Sequence, residues 1–89
     1  MRQKILNEIN DYVSTLYTCF KISAGDFVKK NFPSVVENFW DDKKTDEENL
    51  ECVKDVFQNN VTINETLGNP ELAKVIQIFC DNWLNKIQL

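Results

Sequence analysis

Three cysteines, fourteen carboxylates and no histidine are the side chains from which this sequence would have to build any chemistry. The missing histidine removes the commonest general acid–base and the commonest metal ligand, together with every Ser–His or Cys–His nucleophile pair. Cys19, Cys52 and Cys80 form no C-x-x-C pair, and without histidine they complete no zinc site. Each falls at or beside an apolar helical arc, none at a helix N-terminus where a thiol would be acidified. They read as free core thiols in a reducing compartment. The carboxylates fit a calcium loop poorly: counting from Asp41, the alternate positions are Lys43 and Thr45, and no glycine follows. Asp41 and Asp42 stand among lysines, with nothing to desolvate a general acid. No catalytic residue, metal site or cofactor is expected, and an enzyme is the least favoured class.

The carboxylates are, however, unevenly placed. Eight of the fourteen (Glu37, Asp41, Asp42, Asp46, Glu47, Glu48, Glu51 and Asp55) fall between residues 37 and 55, against Lys43, Lys44 and Lys54. That stretch carries −5 of a chain whose net charge is −4, so the remainder is +1. Glu47, Glu51 and Asp55 stand at i, i+4 and i+8, one stripe of a helix, where like charges cost roughly 0.2–0.5 kcal/mol per pair. A solvated face is the ordinary reading of such a run. The sharper reading is a surface for a basic protein partner. Trp40, beside Asp41 and Asp42, reads as core or as an aromatic anchor within that surface. There is no basic stripe of the kind that holds a phosphate backbone, so direct nucleic-acid binding is not expected.

These residues need elements to hold them, and the periodicity is helical throughout. At 89 residues, with 43% hydrophobic and 27% charged residues, the chain has the composition of one globular domain over residues 1–89. Ile5, Ile9, Tyr12, Val13, Leu16, Tyr17 and Phe20 share one arc of a first helix near 2–20. Gly25 breaks it. A short helix with Phe27 and Val28 follows over 26–31, and Pro33 sets a boundary. Ser34-x-x-Glu37 opens another short helix, carrying Val35, Val36, Phe39 and Trp40. Thr45-x-x-Glu48 is a second capping box, opening a helix over 45–59 with Leu50, Cys52, Val53, Val56 and Phe57 inward; Asn59-Asn60 ends it. Thr62-x-x-Glu65 starts a single turn that Gly68 stops. Asn69-Pro70 begins a last helix, near 70–88, burying Leu72, Val75, Ile76, Phe79, Cys80, Trp83, Leu84 and Ile87 and leaving Ile78 exposed. The expected architecture is all-α: a small bundle of three long helices with two or three short bridging helices. The N-terminal residues lack an apolar stretch of signal-peptide length, and no run approaches the ~20 apolar residues of a membrane span. A cytoplasmic location follows as the expectation.

Phe32-Pro33, Phe39-Trp40-Asp41-Asp42 and the run from Glu48 to Phe57 resemble a group of small bacterial immunity proteins that protect cells against toxins of contact-dependent growth inhibition and related polymorphic toxin systems. In both, an aromatic pair is followed by acids, a short polar loop and an acid-rich helix. The resemblance spans about Phe32 to Phe57. It implies a protein that binds a cognate toxin domain and blocks its active site or substrate-binding surface, carried here by Trp40, Asp41, Asp42, Glu47, Glu48, Glu51 and Asp55. Many such toxins are nucleases, basic because they hold phosphate. The alternative is a small acidic adaptor or anti-regulator binding another basic protein. A monomer or weak homodimer is expected in either case.

Overall fold

The computed structural model of the protein describes residues 1–20 and 24–88, the side chains of residues 19 and 20 excepted. The core positions expected for Phe20 and for the thiol of Cys19 lie outside the described residues. Four α-helices follow one another: α1 (Arg2–Thr15), continued by a π-helical turn (Leu16–Phe20), α2 (Ala24–Phe39), α3 (Asp46–Thr66) and α4 (Pro70–Asn82), with a 3₁₀ turn at Leu84–Lys86. No strand occurs among the described residues. The all-α expectation holds, but four helices replace three long ones with short bridges.

The differences have local causes. The two short helices expected around Pro33 are one, with Pro33 inside α2. A proline there forfeits one backbone hydrogen bond and costs ~3 kcal/mol. Val28, Phe32 and Val36 straddle it at i, i+4 and i+8, all fully buried, and burying three such side chains at roughly 1.5–3 kcal/mol each outweighs the break. Ser34-x-x-Glu37 is therefore helix interior rather than a cap.

α3 begins where expected. The Thr45 hydroxyl accepts from the Glu48 amide (3.2 Å), and the Glu48 carboxylate accepts from the Thr45 amide (3.4 Å). It does not stop at Asn59-Asn60. The Asn60 and Asn64 side chains donate back to the carbonyls of Val56 (2.9 Å) and Asn60 (2.7 Å), bonds that let asparagine sit within a helix. Thr62-x-x-Glu65 is consequently interior too. The stop is Gly68, at φ +80°, where a left-handed residue lets the Asn69 amide reach back to the Asn64 carbonyl (2.8 Å).

α4 ends six residues short of the expected 88. Trp83 leaves helical geometry (φ −120°, ψ −60°), its indole N–H donates to Asp11 of α1 (3.0 Å), and the following turn still buries Leu84 and Ile87. The π-helical turn likewise changes the expected face of α1. Tyr17, expected inward, is 45% exposed; its hydroxyl is hydrogen-bonded to Asp26 and its ring closes over Gly25. A Cβ at Gly25 would stand 2.8 Å from that ring, so this glycine serves a close approach and not a helix break.

The core is centred on one aromatic residue from each helix: Tyr12, Phe32, Phe57 and Phe79. Phe79 lies with its ring centroid 5.4 Å from Tyr12, 5.2 Å from Phe32 and 5.3 Å from Phe57. The Tyr12 hydroxyl donates to the Val75 carbonyl at 2.7 Å, which satisfies the one polar atom at this centre. Trp83 packs at its edge, 4.6 Å from Tyr12.

Candidate functional site

α3 spans about 30 Å at 1.5 Å per residue and divides along its length. Glu47, Glu51 and Asp55 lie on its N-terminal half, all exposed. Among the described residues the one ion pair is Arg2–Glu37 (3.8 Å), between α1 and α2, so none of the three stripe carboxylates is ion-paired there.

The remaining predicted positions divide into two kinds. Asp42 is exposed in the 41–45 loop, which the structure brings up to the first turn of α3. Asp41 and Glu48 are also exposed, but their carboxylates are engaged locally. Asp41 Oδ1 accepts from the Lys43 amide (2.9 Å), closing an Asx turn, and Glu48 Oε1 accepts from the Thr45 hydroxyl (3.1 Å) as part of the cap. Both build the corner before they present charge. Trp40, at the end of α2, is half-buried against the core. The fully presented aromatic at this corner is Phe39, at 47% exposure, which the sequence reading placed in the apolar face of a short helix.

Two features escaped the sequence reading. Asn49, on the first turns of α3, is buried at 1% exposure, and its carboxamide bonds both main-chain polar groups of Asp41: Oδ1 accepts from the Asp41 N–H (3.0 Å) and Nδ2 donates to the Asp41 carbonyl (2.9 Å). The second is an open groove of about 1050 Å³ between the α1–α2 end of the bundle and the start of α4, walled by Leu16, Phe27, Leu72, Val75 and Ile78, with Glu71 and Lys74 as its charged lining. Ile78, expected exposed, is half-buried here against the core. Ile63 and Leu67, 52% and 69% exposed, lie at the end of α3 just before Gly68, which lines the groove. The groove joins residues some fifty positions apart in sequence, and no local pattern announces it.

One thiol is shielded by its placement. Cys80 is buried, and burial pushes its thiol up to about 11, with Asp81 adding to the effect. Cys52 is half-buried rather than in the core. No three described Cys, Asp or Glu side chains converge as metal ligands would, and no described helix is long and apolar enough to cross a membrane. Comparison of the chain with known protein families, curated proteins and solved structures found no match.

Proposed function

We propose that the protein is a binding module that neutralises a basic toxin domain, a nuclease, through the acidic face of α3 and the adjoining Trp40–Asp42 corner. The observation that supports this reading is the stripe of Glu47, Glu51 and Asp55: three exposed carboxylates at helical spacing, none of them in an ion pair among the described residues. A rigid acidic face of this kind is complementary to a phosphate-binding surface. It raises association rates by long-range attraction and competes with nucleic acid for the same basic groups. Half-buried Trp40 and exposed Phe39 supply apolar contact beside the charge, the combination that gives an interface its slow dissociation.

Replacing Glu47, Glu51 and Asp55 together by lysine tests this reading. All three are exposed, so the variant should keep its helical spectrum. Association with its toxin-domain partner, sought first in the product of the adjacent upstream gene, should slow by about ten- to a thousandfold at low salt, and its decline with ionic strength should vanish. A folded triple variant with unchanged association kinetics and undiminished protection of cells would remove the acidic face from the interface.

A further inference from the structure

We infer that Asn49 is the positioning residue of this surface: its buried carboxamide grips both main-chain polar groups of Asp41 and thereby fixes the Trp40–Asp41–Asp42 corner against the N-terminal end of the acidic helix. The inference rests on the acidic-face reading above and adds to it the means by which the face is held in shape.

Apart from the Tyr12 hydroxyl, Asn49 carries the one fully buried polar side-chain group among the described residues. Burying an amide is unfavourable unless every polar atom finds a partner, and an apolar residue of similar volume beside Leu50 and Val53 would avoid that cost. At neutral pH a carboxamide, however, offers one acceptor and one donor side by side, matching the N–H and C=O of a single residue. At Asp41 it meets both, at 3.0 and 2.9 Å. The same Asp41 carbonyl accepts from the Lys44 amide (3.0 Å), and the Asp41 carboxylate folds onto the Lys43 amide. The loop from 41 to 45 is thus closed from inside by Asn49 and from outside by its own turn. Its exposed charge, and the direction in which the chain leaves Trp40, are set before any partner arrives. Such preorganisation cuts the ordering cost of binding.

Two variants separate positioning from packing. Asn49→Leu keeps the volume and removes both bonds. Asn49→Asp keeps the shape but carries the donor only when protonated. Its ionised form turns an oxygen toward the Asp41 carbonyl and repels it, whereas its neutral acid restores the second bond. Burial raises such a carboxyl well above its ordinary range. The measurements are amide protection factors at Asp41 and Lys44, followed from about pH 8 to about pH 5, and salt-dependent binding to immobilised poly-L-lysine. The ionisable side chains of residues 41–48 and the Arg2–Glu37 pair are common to wild type and variant, so wild type is the control for their titration.

Asn49→Leu should remain helical, lose protection at both amides by about tenfold and bind poly-L-lysine correspondingly more weakly at every pH. Asn49→Asp should match it near pH 8 and recover toward wild type as the pH falls. Protection in Asn49→Asp that tracks wild type throughout overturns the proposal. So does lost protection in both variants with binding undiminished. A wild type that shows no salt-dependent binding removes the acidic-face reading instead, and the protection profile then decides alone whether Asn49 fixes the corner.

Discussion

Tyr12 and Cys80 are neutral groups held where water does not reach. Burial, with the neighbouring Cys80, pushes the Tyr12 hydroxyl from 10.0 up to about 12; burial, with Asp81, pushes the Cys80 thiol from 9.0 up to about 11. Below pH ~8 both are protonated, folded or unfolded, and neither makes stability depend on pH. Above it the unfolded chain releases protons that the folded chain keeps, so the native state binds more protons and stability falls as pH rises. Urea midpoints should therefore decline from about pH 8, first through Cys80 and then, from about pH 9, through Tyr12. Cys80→Ala should remove the earlier part of that decline while leaving the later part. Midpoints flat from about pH 8 to 11 would contradict the burial of both groups. The same burial makes Cys80 slower than half-buried Cys52 toward thiol reagents until the protein unfolds. The core placement of Cys80 was legible from its apolar arc. Asn49 was not, because an asparagine amid acids looks solvated, and its burial depends on a partner eight residues upstream across a loop.

Among the elements, α2 is the one that departs furthest from its local signals. Pro33 announces a boundary, and the stripe of Val28, Phe32 and Val36 overrides it. α2 therefore carries an avoidable cost. Pro33→Ala restores a donor for the Lys29 carbonyl, worth up to ~3 kcal/mol, less roughly 0.4–1 kcal/mol for the freer unfolded chain. The variant should be more stable by about 1–2 kcal/mol, with the thermal midpoint raised by about 4–8 °C per kcal/mol. A midpoint unchanged or lowered would mean that the chain is divided at Pro33 after all. α3 is the opposite case. Its start was readable because a capping box is a local device, complete within four residues. Its end was not, because asparagines that favour a stop in isolation are held in the helix by bonds to the preceding turn and by the burial of Val61. The acidic stripe was readable for the same reason as the cap: once α3 is a helix, spacing alone places Glu47, Glu51 and Asp55 together.

In the whole molecule the four core aromatics are recruited from residues 12 to 79, so the centre forms only when all four helices are present. Where each helix lies relative to the others is decided there and not within any segment, which is why the helical class was legible and the four-helix arrangement was not. The groove between α4 and the α1–α2 end is a product of the same long-range assembly. One more closure is visible at the opposite end of α3. Lys4 Nζ donates to the carbonyl of Gln88 (3.0 Å), and Met1 and Gln88 share a small cleft with Thr45, Asp46 and Glu47. Residues 1 and 88 are therefore near neighbours in space. A circular permutant, with a short glycine–serine linker joining these positions and new ends opened between Gly68 and Asn69, should fold to the same helical content, as permutants cut at exposed turns commonly do. A permutant that expresses but shows no cooperative thermal transition would count against this. The joint would lie against the first turn of α3, so lengthening that linker places a bulky, adjustable obstruction beside the acidic face without altering one of its residues.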